Sequence, residues 1–177
     1  MDAQVFLEVV IRPALLAIGL HSAAAEELLL GTALVESQLV HREQLAGGPA
    51  LGLFQMEPRT HDDIWRHYLR YRTKLARKVD ALLSRPGADR PAELLAHERY
   101  AAAMVRIHYK RVAEALPSAG DTAGMTRYWK RYYNTRRGKG REAKYAEAWG
   151  RGTARLVARP SSSARYDPEY GPTHRSS

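Results

Sequence analysis

One acid stands in the middle of an apolar stretch. In the segment EELLLGTALVESQLVHREQ, Glu36 has Leu29 seven residues before it, Thr32 and Ala33 four and three before, and Val40 four after. Residues so spaced share one face of a helix. A carboxyl on such a face is partly desolvated, which favours its neutral form and raises its pKa. That is the state a general acid needs near neutral pH. Glu26, Glu27 and Glu43 lie near the helix ends instead, where solvent or the helix dipole accounts for them. The competing reading of Glu36 is an ion pair with one of the chain's many arginines. Further on, ALGLFQMEP places Gln55 among Gly52, Leu53, Phe54 and Met56 before a Glu-Pro stop. An amide among large apolar residues is a candidate ligand; the apolar residues beside it read equally well as core.

The acid and the amide need elements to hold them. Val5, Val9, Ile11, Leu15, Leu16 and Ile18 recur at helical spacing, with Pro13 as a kink or restart and Gly19 as a stop. Ser22 is an N-cap candidate, so the helix bearing Glu36 is expected from about Ala23 to Glu43. A third helix is expected from about Thr60 to Leu82, up to the SRPGADRP break, and a fourth, the central core helix, from about Ala92 to Leu116. TAGMTRYWKRYYNT reads as a fifth and Glu142 to about Val157 as a sixth. Strand alternation is absent. The sequence therefore predicts an all-α domain over 1–158 and an irregular tail over 159–177, rich in Pro, Ser and Gly.

Taken together, TALVESQL, ALGLFQMEPRT and YWKRYYNTRRGKG resemble the lysozyme-like lytic transglycosylase family of the goose-type and soluble-lytic-transglycosylase kind. That family carries Glu-Ser on a helix, then a Gly-Leu-(Met/Phe)-Gln-(Ile/Met)-x-Pro-x-Thr loop, then an Ala-Tyr-Asn-x-Gly-like segment. The matching residues are Glu36-Ser37, then Gly52 to Met56 with Pro58 and Thr60, then Tyr133-Asn134. The resemblance spans roughly Leu28 to Ala148. Where the family has alanine before Tyr-Asn and glycine soon after, this chain has Tyr132 before and Thr135, Arg136 and Arg137 after.

The resemblance implies cleavage of the bond between N-acetylmuramic acid and N-acetylglucosamine in peptidoglycan, with Glu36 as acid and then base. It implies that Ser37 bonds near the reacting sugar and that Gln55 holds a peptide or acetamido group. Gly52 would admit a close approach, and Phe54 and Met56 would wall the cleft. Tyr133 would orient the Glu36 carboxyl and Asn134 would bond the acetamido group; the competing reading of either is a satisfied structural polar residue. A hydrolase would need a second carboxylate about 5–9.5 Å away. Glu43 is about 10 Å further along a helix axis, while Glu57, Asp62 and Asp63 would have to fold back from beyond the loop.

Cofactors are not expected. The chain has no cysteine, and its histidines form no convincing ligand set; His61 beside Asp62 and Asp63 comes nearest, and helix capping explains that group. The formal charge of +9 on 177 residues predicts attraction to polyanions. It is concentrated in Arg127, Lys130, Arg131, Arg136, Arg137, Lys139, Arg141 and Lys144, with Tyr128, Trp129, Tyr132, Tyr133 and Tyr145 between them. Such a strip suits an anionic wall and also nucleic acid, by stacking and phosphate contacts. The first 25 residues carry Asp2, Glu8 and Arg12-Pro13 where a signal peptide would be basic and then apolar. The expectation is a protein made in the cytoplasm with no membrane span, encoded by a bacteriophage, and either released to the wall or carried in the virion among other virion proteins. A virion structural protein with an inactive lysozyme-like fold, a muramidase and a basic nucleic-acid-binding protein are the competing readings.

Overall fold

The computed structural model describes residues 1–42, 47–134 and 142–157, the last four of these by their backbone alone. Among them every regular element is helical, and Leu51 and Met56 form one isolated antiparallel bridge. No helix among the described residues is long and apolar enough to cross a membrane.

The chain opens with α1 (Ala3–Phe6) and α2 (Arg12–Ile18), joined through a π-helical segment, Leu7–Ile11. Asp2 caps the start by accepting from Gln4 and Val5 backbone N–H groups. Gly19 ends the run in the left-handed conformation, with φ of 72°, the geometry that glycine adopts without a Cβ penalty. Helix α3 (Ala23–Ser37) starts at the expected cap, Ser22, whose hydroxyl accepts from Ala25 N. It is buried almost all round, from Ala25 to Val35, so it shares the molecular centre with α7 (Glu98–Lys110), whose residues Tyr100 to Ile107 are likewise buried.

Three expected helices are shorter than their apolar patterns. Helix α3 stops at Ser37 and not near Glu43: the Ser37 hydroxyl turns back to Ala33 O at 3.0 Å and also accepts from Leu39 N at 3.2 Å. Gln38 and Leu39 then take positive φ values of 55° and 57°. Val40 is consequently exposed and no longer on the Glu36 face. The third helix divides into α4 (Pro58–His67), a 3-10 turn at Leu69–Tyr71 and α5 (Thr73–Asp80). At that corner the Arg72 guanidinium stacks 3.7 Å above the Tyr68 ring. The fourth divides at His97, extended at φ −126° and ψ 99°, into α6 (Arg90–Ala96) and α7. Helices α8 (Thr122–Tyr132) and α9 (Glu142–Val157) follow the sequence reading. The tail expected over 159–177 lies outside the described residues.

Helix α9 packs close against α3 because glycines stand on both surfaces. A Cβ on Gly31 of α3 would overlap the Tyr145 phenol of α9, and one on Gly152 of α9 would meet the Leu34 side chain of α3. Between α2 and α3 lies an ion pair: Arg12 Nε and Nη2 donate to the two oxygens of Glu26 at 2.6 and 3.0 Å, and His21 Nε2 lies 2.8 Å from Oε1. Glu27 reaches the other way, accepting from Gly120 N ahead of α8 at 2.6 Å. These contacts fix α2, α3, α8 and α9 relative to one another.

Candidate active site

Glu36 is the next-to-last residue of α3, half-buried, and its Oε1 accepts a hydrogen bond from the Trp129 indole N–H of α8 at 3.0 Å. Burial raises its pKa above the ordinary carboxylate value; the indole bond and the positive charge of Lys144 on α9 pull the other way without reversing the shift. The position adds a cause of its own, since the C-terminal end of a helix disfavours negative charge. Among the described residues no ion pair reaches Glu36, so the expected alternative of an arginine partner is not realised there.

Under the carboxyl lies a set of buried rings. Trp129 is 1% exposed and stacks obliquely on Tyr145, with centroids 5.5 Å apart. Tyr133 packs on Tyr109 at 5.5 Å and edge-on to His108 at 5.2 Å. Thr32 spends its hydroxyl proton on Leu28 O, so the Tyr109 hydroxyl donates to Thr32 Oγ1 at 2.8 Å. Burial first, and then the Glu36 charge, hold the Tyr133 hydroxyl well above the usual phenol range; it stays protonated and donates to Phe54 O at 2.8 Å. Tyr133 thus links the Glu36 neighbourhood to the glutamine loop and leaves orientation of the carboxyl to Trp129.

The loop itself is a tight turn between Leu51 and Met56, which exchange two backbone hydrogen bonds at 3.0 and 3.1 Å. Gly52 stands at φ 70°, and any Cβ there would collide with Leu94 O of α6. Its smallness therefore serves a close approach of α6. Gln55 holds φ 50°, a left-handed backbone that costs a residue with a Cβ of order 1 kcal/mol or more. Its side-chain amide donates to Gly52 O at 2.8 Å and closes the turn.

Of the residues expected to contact a ligand, four are inside. Ser37 is 1% exposed with its hydroxyl engaged on both sides, and it ends the helix. Gly52 is buried against α6. Phe54 and Met56 belong to the core, Phe54 packing 5.8 Å from the Phe6 ring. Asn134 remains half-buried near the surface, its Oδ1 accepting from Lys130 Nζ at 3.0 Å. Glu36, Tyr133, Asn134 and Gln55 are brought to one region through Trp129, Lys130 and Phe54.

Comparison with known proteins finds no family model, no curated relative and no solved structure that matches this chain.

Other carboxylates have partners of their own. Glu57 pairs with Arg59, Asp62 with His61, and Asp63 with Arg111; Glu43 lies outside the described residues. His61 is buried between Asp62 at Nδ1 and the Tyr100 hydroxyl at Nε2, and burial lowers its pKa. In the basic strip, Arg127, Lys130 and Arg131 line a cavity of about 670 Å³ with Tyr128 and Tyr132, but Glu114, Asp121 and Glu142 line it too. Arg136, Arg137, Lys139 and Arg141 lie outside the described residues. Trp129 and Lys144 were not singled out by the sequence as Glu36's neighbours. Trp129 lies four residues before Tyr133 on the same helix face, the one local signal that would have found it.

Proposed function

We propose that this chain is a peptidoglycan-cleaving lytic transglycosylase with a lysozyme-like helical fold, in which Glu36 is the one acid and base. The observation that carries the reading is the Glu36 carboxyl: desolvated, held by a neutral indole donor, and without a second carboxylate beside it among the described residues. A carboxyl of raised pKa keeps its proton to higher pH than an ordinary carboxylate and can deliver it to the glycosidic oxygen.

Glu36 protonates the bridging oxygen as the bond from the muramoyl C1 to that oxygen breaks, and the electron pair leaves with the N-acetylglucosamine 4-hydroxyl. The muramoyl 6-hydroxyl then bonds to C1 and its proton returns to Glu36. Atoms and charge balance without water. An internal nucleophile has a high effective concentration, so no activated water and no second carboxylate are required. A hydrolase built on the same acid would require one, and Glu57, Asp62 and Asp63 are each committed to a basic partner.

The test is digestion of purified peptidoglycan followed by mass spectrometry of the soluble fragments. Products ending in 1,6-anhydromuramic acid, lighter by one water than reducing-end products, are expected. Reducing ends would move the assignment to muramidase, and the absence of soluble muropeptides would favour a structural protein.

A further inference from the structure

The least explained partner in this region is the one that touches Glu36. Trp129 is buried, it comes from a different helix, and its only polar atom is spent on a carboxyl 93 residues away in sequence. An indole N–H is a donor and nothing else. It can hold a carboxyl oxygen whether that carboxyl is neutral or ionised, and it can neither take the proton nor return it. Among the described residues Oε2, the other oxygen, has no hydrogen-bonding partner.

We propose that Trp129 is a positioning residue that divides the Glu36 carboxyl into a fixed oxygen and a working one. Oε1 is anchored by the indole. Oε2 carries the proton, gives it to the glycosidic oxygen and receives it back from the 6-hydroxyl; this part rests on the transglycosylase reading above. Three features hold the donor still. The Trp129 ring packs on Tyr145 at 5.5 Å; the backbone at Trp129 O accepts from both Tyr133 N and Asn134 N, at 2.8 and 3.0 Å; and Tyr145 is itself seated over Gly31, on the helix that bears Glu36. The carboxyl and its donor are therefore braced by the same α3–α9 contact. A rotating carboxylate would present either oxygen, whereas this one presents Oε2 throughout the cycle.

The test begins with the unaltered protein and needs no substrate. In a pH titration of the full chain labelled with 15N, the Trp129 indole signal should shift with a midpoint above the ordinary carboxylate value, and the shift should vanish in Glu36→Gln. Trp65 is an internal control, because its indole N–H is bound to the Tyr100 hydroxyl at 3.0 Å and should not follow Glu36. In Trp129→Phe, which keeps a packed ring and loses the N–H, the activity profile should move to higher pH. Its kcat should fall about ten-fold, as expected for loss of one hydrogen bond, with KM little changed. An indole signal indifferent to pH, or a Trp129→Phe enzyme with an unmoved pH profile, overturns the positioning role. A coupled titration in a protein that releases no muropeptides upholds the Trp129–Glu36 pair and overturns only the reaction assigned to it.

Discussion

At the scale of single residues, buried Glu26 and half-buried Glu36 respond to pH in opposite directions, and each makes a prediction. Burial raises the Glu36 pKa beyond what Trp129 and Lys144 can offset. Its folded value therefore exceeds its unfolded one, and its contribution to stability is full below the ordinary carboxylate value and lost as pH rises through the folded pKa. Glu36→Gln removes that cost of ionisation. The variant should lose turnover by a factor of about 10²–10⁴ yet melt above the parent protein at pH 7, with the two melting curves converging in acid. A variant that melts lower at pH 7 would show that the carboxylate is better compensated than its surroundings indicate. Glu26 is the counter-case: burial pushes its pKa up, but hydrogen bonds from Arg12 and His21 more than reverse this and leave it lowered. The stability it supplies is present above the ordinary value and disappears as pH falls through the folded one. Arg12 is 42% exposed at its side chain, so Arg12→Met should cost only about 1–2 kcal/mol. Chemical denaturation at neutral pH and again in acid should find that cost in the first case and little of it in the second.

At the scale of elements, the α3–α9 contact holds the Glu36 region together, and its two glycines are not equivalent. Gly31→Ala would drive a methyl into the Tyr145 phenol, a large ring buried in the core, and overpacking of that kind costs about 1–3 kcal/mol. Gly152→Ala meets the branched end of the buried Leu34 side chain, less closely than Gly31→Ala meets Tyr145, and the gain in helix propensity of about 1 kcal/mol offsets part of the strain. Thermal melts should therefore rank Gly31→Ala well below Gly152→Ala; equal melting temperatures would contradict the packing of Tyr145 over Gly31. This level also shows what a sequence can and cannot reveal. Ser22, Gly19 and Pro13 mark their helix ends locally, because capping and φ preferences act within a few residues, and so the end of α2 and the start of α3 are legible in the sequence. The end of α3 was invisible: Val40 continues the apolar spacing, while the break comes from the Ser37 hydroxyl competing for backbone groups. The breaks at Tyr68–Arg72 and His97 were hidden for the same reason, that apolar periodicity runs through them. Glu36 was legible because an acid interrupts an apolar face. The burial of Ser37, Phe54 and Met56 was not legible, because a motif records which residues occur together, not which of them point inward. Trp129 was missed because it approaches Glu36 only once α8 folds across α3.

At the scale of the whole molecule, the net charge of +9 and the interior carboxyl belong to different electrostatic regimes. Exposed arginines and lysines act through water and ions, and their reach shrinks from about 10 Å at 0.1 M salt to about 3 Å at 1 M. Glu36 is half-buried and bonded to a buried indole, so its charge is screened less than an exposed one. If the charge serves to draw the protein onto an anionic wall while Glu36 does the chemistry, salt should separate the two. Raising it over that range should increase KM for peptidoglycan several-fold and slow association, as expected for electrostatic steering. The pH at which kcat is half-maximal should stay where it is. Steady-state turnover of solubilised glycan strands across pH, at low and high salt, measures both quantities in one series. A midpoint that moved with salt as far as KM does would place the Glu36 carboxyl in open solvent, and the acid would then lack the environment on which its assigned role depends.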